Sequence, residues 1–325
     1  MAFNIETSAV ASATSTCWAA AAPITDTLNR SASTARKRVE KGEIALGEDI
    51  MSDNLRSYTI RLDNGLSFPC VEHGNPAATP LLLLHGYTDS WRSFEPVLQK
   101  FPASVRAIAF TQRGHGEAGK PAEGYNPRDF ASDAVALLDR LGIGRAVIAG
   151  HSMGSFVAQR IAIDHPDRVA GLVLEGSFPT MTGNAGVDEL WREVEHFTDP
   201  VKRDFAFAFQ SSTLAQPIPR ALLETFVDES LKTPARIWKS ALRGLMDVDH
   251  TAELTLIRAP TLVMWGAADA LFPRSDQDVL LARIPNAQLS LYDRAGHSIH
   301  WEEPLRFASD VAAFVEARTT SQQAA

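Results

Sequence analysis

The sequence predicts an α/β protein with a doubly wound, mostly parallel sheet, and three observations support this prediction. Short apolar runs typical of buried parallel strands recur along the chain, at 80–84, 105–110 and 146–149. Amphipathic helical patterns lie between such runs, as over 127–141. Strands that alternate with helices form a parallel sheet covered on both faces. The alternation stops at Ser177 and resumes at 260, which predicts an inserted all-helical segment.

The separate elements follow from local patterns. Asn64-Gly65 lies between the alternating segments 58–62 and 66–71, which predicts a β-hairpin. A helix is expected to begin at Asn126-Pro127, with Asn126 as its N-cap. Further strands are expected at 169–174, 260–265 and 287–292, and further helices near 157–162, 276–284 and 307–315.

These patterns divide the chain into four parts. Residues 55–176 and 257–318 are predicted to form the α/β core, residues 177–256 a helical insertion, and residues 319–325 a polar tail. Residues 1–50 are rich in Ala, Ser, Thr or charge and show no sustained apolar periodicity. Such a segment buries too little apolar surface to offset the entropy lost on ordering, so a disordered N-terminal extension is expected.

Composition excludes several classes of protein. The 325 residues include only two cysteines, Cys17 and Cys70, which rules out a disulfide scaffold and a cysteine-based zinc site. The net charge of −8 argues against nucleic acid or an anionic membrane as the main partner. The first residues lack the features of a secretory signal, and no apolar run is long enough to span a membrane. We therefore expect a cytoplasmic protein, and its oligomeric state stays open.

The most informative segment is Gly150-His-Ser-Met-Gly154, which lies between a predicted buried strand and an amphipathic helix. A serine on such a sharp strand-to-helix turn is exposed at the carboxyl edge of the sheet and forms a nucleophile elbow. The glycines are needed because side chains would collide with nearby backbone. Ser152 is therefore predicted to be a catalytic nucleophile.

A serine hydroxyl needs a base, and two side chains are placed to complete the site. Asp269 follows the strand 260–265, and His297 follows the strand 287–292, so both lie at the edge of the sheet that holds Ser152. His297 would accept the Ser152 proton and Asp269 would orient the imidazole. The oxyanion donors are predicted to be the backbone N–H groups of Met153 and Tyr87.

Five segments together resemble the α/β-hydrolase superfamily. They are His85-Gly86, Arg113-Gly-His-Gly116, Gly150–Gly154, Pro260–Gly266 with Asp269, and Gly296-His297 through Pro304. The resemblance covers about residues 56–318 and is nearest to small esterases, enol-lactonases and haloperoxidase-like members. It implies that residues 177–256 form an inserted all-helical cap domain, and it implies the order serine, acid, histidine. It also offers Glu175 as an alternative acid, since some members place the acid there. The chain departs from the superfamily pattern at Thr111-Gln112, where many members carry an aspartate before the arginine. We interpret this departure as a loop-packing difference.

Two other motifs are rejected. Residues 114–119 match GxGxxG, but Pro121 and the following loop leave no helix N-terminus to hold a phosphate. His297 and His300 have the spacing of a metal pair but lack a third ligand, so His300 is expected to be structural. No cofactor and no metal are expected.

The sequence therefore predicts a serine hydrolase that cleaves a carboxylic ester or lactone, with a small to medium apolar or aromatic acyl group, through an acyl-enzyme. The same triad could instead cleave a carbon–carbon bond, or act as a perhydrolase or haloperoxidase. A fold does not fix a function, so a ligand receptor with little turnover is the alternative outside enzyme classes.

Overall fold

The computed structural model describes the backbone of residues 45–51 and 55–323 and the side chains of residues 55–318. The strands are β1 (Ala45–Met51), β2 (Leu55–Arg61), β3 (Ser67–His73), β4 (Thr79–Leu84), β5 (Val105–Phe110), β6 (Ala146–His151), β7 (Val169–Glu175), β8 (Thr261–Gly266) and β9 (Ala287–Tyr292). The helices are α1 (Glu95–Leu98), α2 (Pro127–Arg140), α3 (Met153–Asp164), α4 (Ala185–Val194), α5 (Arg203–Ser212), α6 (Arg220–Leu231), α7 (Ala235–Met246), α8 (Arg274–Arg283), α9 (Ile299–Glu302) and α10 (Pro304–Gln323).

The strands form one sheet in the order β1-β2-β3-β5-β4-β6-β7-β8-β9. From β5 to β9 along that order, neighbouring strands run parallel, whereas β1, β2 and β3 pair antiparallel. The predicted hairpin joins β2 to β3, and Gly65 supplies the positive φ that its turn requires. The predicted class, a mostly parallel α/β sheet, is confirmed.

The four leucines of β4 show why both faces of the sheet are covered. Side chains alternate along a strand, so Leu81 and Leu83 pack on one face while Leu82 and Leu84 pack on the other. The first face is covered by α1 and α10, and the second by α2 and α3. Strand β4 pairs with β5 on one side and with β6 on the other, so its backbone polar groups are bonded within the sheet. A continuous apolar run is therefore stable in β4.

Helix α2 begins as the sequence predicts. The Asn126 side chain accepts hydrogen bonds from the backbone N–H groups of Arg128 and Asp129, and Asp129 caps the Asn126 backbone in return. This capping box satisfies amide donors that have no partner inside the helix. The helix therefore begins at Pro127, and residues 111–126 form a loop. No helix begins after the GxGxxG match at 114–119, as the rejection of a phosphate site assumed.

Helices α4 to α7, referred to below as the inserted helices, lie between β7 and β8. They occupy the interval 177–256 that the sequence assigns to a cap. Trp238 in α7 is fully buried, and its ring contacts the rings of Phe197, Phe205 and Phe209. These aromatic contacts stabilise the packing of α5 against α7. A cap as a separate domain stays a prediction.

Two predicted boundaries are wrong. Residues 45–51 form β1, which pairs with β2, although residues 1–50 were assigned to a disordered extension. The segment reads Ala-Leu-Gly-Glu-Asp-Ile-Met and has an irregular register near Asp49, so it lacks the alternation that signals a strand. Helix α10 continues to Gln323, beyond the predicted tail boundary at 319, because the polar sequence of 319–323 carries no apolar helical signal. Residues 1–44 lie outside the described residues.

Helix α10 is the longest helix of the described chain, at 20 residues. Neither it nor any other helix in that part of the chain has both the length and the apolar character needed to cross a membrane.

Candidate active site

Ser152 lies between β6 and α3 in a strained conformation. Its φ of 51° and ψ of −117° fall where residues with a side chain are rarely found. Its backbone N–H donates to the carbonyl of Glu175, 2.9 Å away, which ties the turn to the end of β7. Strain of this kind concentrates at functional sites, where the surrounding structure enforces it. The predicted elbow is therefore present around Ser152.

The glycines that flank Ser152 are required by close backbone contact. A Cβ atom on Gly150 would lie 2.1 Å from the carbonyl oxygen of Gly154. One on Gly154 would lie 2.0 Å from the carbonyl oxygen of Leu84. Both distances are far below a van der Waals contact, and backbone cannot move aside as a flexible side chain can. Only glycine permits the loop after β4 to cross the start of α3.

We predict that Gly154→Ala lowers the free energy of unfolding by about 3 kcal/mol, because it forces overpacking between backbone segments. Gly144→Ala is the matched control, since nothing lies within 4 Å of its added methyl group. Urea unfolding of both variants measures the difference. Equal stability of the two variants would contradict the close contact.

His297 and Asp269 meet directly. The Nδ1 atom of His297 lies 2.9 Å from Oδ2 of Asp269, and both side chains are almost fully buried. The other Asp269 oxygen accepts hydrogen bonds from the backbone N–H groups of Leu271 and Phe272. Three contacts therefore orient the carboxylate, and it in turn holds a proton on Nδ1 of His297.

This pairing leaves Nε2 of His297 as the reactive atom. It is buried and has no hydrogen-bond partner among the described residues. Burial favours the neutral imidazole, but the Asp269 carboxylate together with the charges of Glu175 and Asp89 outweighs burial and raises the pKa of His297 above its ordinary value. Such a histidine is a base whose protonated form is stabilised.

Gly176 connects the serine and histidine parts of the site. It follows Glu175, whose carbonyl holds the Ser152 N–H. A Cβ atom on Gly176 would lie 2.8 Å from the His297 ring, so the ring packs directly against this backbone. The end of β7 therefore contacts both residues, Ser152 through the Glu175 carbonyl and His297 through Gly176.

The predicted oxyanion donors lie on the segments that cross at Gly154. Met153 opens α3, and Tyr87 belongs to the segment His85–Asp89, referred to below as the oxyanion loop. Within the described part of the chain, neither backbone N–H group donates a hydrogen bond to the protein. The Tyr87 hydroxyl donates to the carbonyl of Trp238, 2.5 Å away, which fixes the loop to α7. Both donors are free to bind a developing negative charge.

Glu175 does not contact His297 as the acid of a triad. Its Oε1 atom accepts hydrogen bonds from the backbone N–H of His300 and lies 2.8 Å from His300 Nδ1. The structure therefore pairs His297 with Asp269 and pairs Glu175 with a second histidine. His300 was predicted to be structural, and sequence reasoning missed its carboxylate partner because the two residues are 125 positions apart.

The sequence pattern of the alpha/beta hydrolase fold family matches residues 79–304. The chain belongs to this family. A 2-hydroxymuconate semialdehyde hydrolase from Pseudomonas sp. (strain CF600) is 31% identical over 257 residues, which span 75% of this chain and 89% of that protein. Similar solved structures include an esterase from Rhodococcus sp. ECU1013, with 29% identity and a TM-score of 0.71 over 81% of this chain and 99% of that one. The enol-lactonase from Burkholderia xenovorans LB400 shares the fold, with 20% identity and a TM-score of 0.70 over 79% and 99% of the two chains.

Within this alpha/beta hydrolase, Gln112 has a clear packing role. Its backbone N–H donates to His85 Nε2, 2.9 Å away, and its side-chain amide donates to the His85 carbonyl at 2.8 Å. His85 Nδ1 lies 2.8 Å from the carbonyl of Gly86, so both ring nitrogens of His85 have partners, one in the oxyanion loop and one at Gln112. The departure at Gln112 therefore fixes this loop, in agreement with the predicted packing difference.

One cluster has the composition of a metal site. His151, Glu175 and His300 offer ligand atoms that lie within 4.8 Å of one another. Both ring nitrogens of His300 are already used, Nδ1 by Glu175 and Nε2 by the hydroxyl of Ser93 at 3.0 Å. A histidine binds a metal through a nitrogen free of a proton and of other partners. We therefore interpret this cluster as a hydrogen-bonded network.

The segment after α5 holds the histidine loop of the hydrolase. The carbonyl of Thr213 accepts from the backbone N–H groups of His297 at 2.9 Å and of Ser298 at 3.3 Å. The carboxylate of Glu302 accepts from the backbone of Gly296 and, on the inserted side, from Gln216 at 2.8 Å. The position of His297 therefore depends on the chain between β7 and β8.

Proposed function

We propose that this alpha/beta hydrolase is a serine hydrolase that cleaves a carboxylic ester or lactone. The observation that carries the proposal is the His297–Asp269 contact, which leaves a buried, unpartnered Nε2 atom beside the strained Ser152 turn. The 29% identical esterase supports an ester substrate. No cofactor and no metal enter the proposed reaction.

In the proposed reaction, the Ser152 hydroxyl oxygen attacks the substrate carbonyl carbon while His297 Nε2 accepts the hydroxyl proton. The carbonyl oxygen becomes an oxyanion that accepts hydrogen bonds from the Tyr87 and Met153 N–H groups. The carbon–oxygen bond then breaks, the leaving alkoxide takes the proton from His297, and an acyl-enzyme remains. Water attacks the acyl-enzyme with His297 again as base, which releases the acid and restores Ser152.

Aromatic rings beside the oxyanion loop support an apolar or aromatic substrate. The Tyr87 ring contacts Phe209 and Trp238 edge to face, with ring centroids 5.8 and 5.3 Å apart. Ligand sites are mostly apolar, with a few polar groups that fix orientation. A substrate carbonyl bound at the Tyr87 N–H would therefore have an apolar wall nearby.

Hydrolysis of a carbon–carbon bond is the second candidate. It is favoured by the 31% identity to a 2-hydroxymuconate semialdehyde hydrolase, which extends over 75% of this chain. The same serine and histidine can serve either reaction, so the site geometry does not separate the two.

Steady-state hydrolysis of p-nitrophenyl esters of increasing acyl length tests the proposal, with 2-hydroxymuconate semialdehyde as the competing substrate. Multiple turnovers on esters with a higher kcat/KM support the ester reading, and the optimum length gives the pocket size. A higher kcat/KM on the semialdehyde would contradict the ester proposal and favour carbon–carbon hydrolysis. A single stoichiometric burst without turnover replaces it with ligand binding.

We predict that kcat/KM falls as the pH drops through the pKa of His297. The reaction needs the neutral imidazole as base, so activity is present above that pKa and lost below it. Because Asp269 raises this pKa, the loss should begin at a pH above the ordinary histidine value of about 6.5. A pH profile of kcat/KM for the best ester measures it. An acid limb below the ordinary value would contradict the pairing.

A further inference from the structure

Two buried carboxyl groups near His297 have histidines, and no lysine or arginine, among their described contacts. Asp89, in the oxyanion loop, is 3% exposed, and Glu175 is 1% exposed. Asp89 Oδ1 accepts from the Gln210 amide at 2.9 Å, whereas Glu175 accepts from the backbone of His300. A buried ionised carboxyl without a cation nearby is costly. Two such groups in one site raise the question of where their protons lie.

Two residues connect the carboxyl groups by hydrogen bonds. Asp89 Oδ2 lies 3.2 Å from Ser93 Oγ, and Ser93 Oγ lies 3.0 Å from His300 Nε2. His300 Nδ1 lies 2.8 Å from Glu175 Oε1. Asp89, Ser93, His300 and Glu175, referred to below as the acid relay, are all buried. All four side chains are therefore shielded from bulk water.

The three contacts of the acid relay need three protons. Ser93 supplies one, and a neutral His300 supplies another. Burial lowers the pKa of His300 well below its ordinary value, so the imidazole does not carry the third. If both carboxyl groups were ionised, one contact would place two acceptors against each other. The arrangement that satisfies all three contacts with a neutral His300 therefore places the third proton on one of the two carboxyl groups.

We propose that Asp89 and Glu175 share one proton through Ser93 and His300, so that the acid relay carries a single negative charge beside His297. With Asp89 protonated, it donates to Ser93, Ser93 donates to Nε2 of His300, and Nδ1–H donates to the Glu175 carboxylate. When each proton moves one contact along, Glu175 becomes neutral and Asp89 carries the charge. Atoms and charge balance in both arrangements.

The charges around the site support this arrangement. Burial raises the pKa of Asp89 and of Glu175 to about 7 in each case. Both carboxyl groups act with Asp269 to raise the pKa of His297 against the effect of burial. The titratable groups that face His297 are Asp269, Glu175, Asp89, His151 and His300. Burial keeps His151 neutral by lowering its pKa, so the carboxyl groups set the local charge.

If the proposed hydrolase function holds, the relay charge stabilises the His297 imidazolium that forms in each half-reaction. Asp89 and Glu175 then act as positioning residues, because they reach the substrate only through the histidine. Their contribution adds to that of Asp269, which contacts His297 directly.

Infrared spectroscopy tests the shared proton without any substrate. The carbonyl stretch of a protonated carboxyl group should be present at neutral pH in the wild type and absent in Asp89→Asn/Glu175→Gln. Glu72→Gln is the matched control: Glu72 is equally buried but is bound by Arg106 and the Tyr58 hydroxyl, so the band should remain. A wild type without the band, or a double variant that keeps it, would overturn the proposal.

A third variant covers the case in which the double variant fails to fold, and a pH profile of the folded double variant adds a second readout. Ser93→Ala removes only the hydroxyl at the centre of the relay and should shift or abolish the same band, and an unchanged band would overturn the proposal. In the pH profile of ester hydrolysis, the double variant should move the acid limb about one unit lower, because a negative charge near the imidazolium is lost. A band without turnover in the wild type would contradict the hydrolase function alone, whereas turnover without a band would contradict the relay.

Discussion

Replacing Ser152 with alanine is expected to reduce kcat for ester hydrolysis by about 10⁴-fold or more. The variant lacks the oxygen that forms the acyl-enzyme, so only binding and the oxyanion donors remain to accelerate attack by water. The fold should be unaffected, because the hydroxyl of Ser152 makes no described hydrogen bond that holds the turn. Steady-state turnover measures kcat, and burst kinetics on a p-nitrophenyl ester should show no acyl-enzyme.

The control for this variant is Ser132→Ala, which changes an exposed serine of α2 far from the turn. It should retain wild-type turnover and burst amplitude. Persistence of rapid turnover in Ser152→Ala would mean that another group is the nucleophile, whatever the geometry of the elbow.

Asp269→Asn is expected to lower kcat by about 10⁴-fold, the second largest effect. The amide can donate to Nδ1 of His297 and so place the proton on Nε2, the atom that must accept it from Ser152. Loss of the carboxylate also lowers the pKa of His297, so the acid limb of kcat/KM should move to lower pH. The pH profile of the variant therefore reports the same contact by a second route.

Glu175→Gln is the comparison that separates the two acids. Glu175 is bound to His300, so this single change should leave kcat within about tenfold of wild type, which is about 1.4 kcal/mol in the barrier. Equal losses in the two variants would contradict the assignment of Asp269 as the partner of His297.

The features that the sequence predicts well are those encoded within a short segment. The turn around Ser152 needs glycine on both sides for steric reasons, so Gly150 and Gly154 are visible in five residues. The start of α2 is equally local, since Asn126 and Asp129 cap each other. Buried parallel strands such as β4 are visible because both of their faces are apolar.

Features that depend on distant parts of the chain were missed. The Glu175–His300 pair joins the end of β7 to α9, and nothing near either residue in sequence indicates the other. Glu175 was considered as an acid for His297 because both positions lie at the same sheet edge. The direction in which each side chain points decides which carboxylate contacts His297, and tertiary packing sets that direction. Strand β1 was missed because its residues do not alternate regularly between apolar and polar, which is the pattern that predicts a strand.

The attachment of His297 to Thr213 has a consequence for protein engineering. Helical segments between β7 and β8 are attractive units to exchange among relatives when a new substrate range is sought. Here such a chimera would have to reproduce the carbonyl at position 213 and the N–H groups near 216, since these hold the loop of His297, the proposed general base. A graft joined only at the ends of β7 and β8 would replace residues 213–216 and lose the contacts that position His297. The exchanged segment should therefore leave residues 213–216 of the host in place.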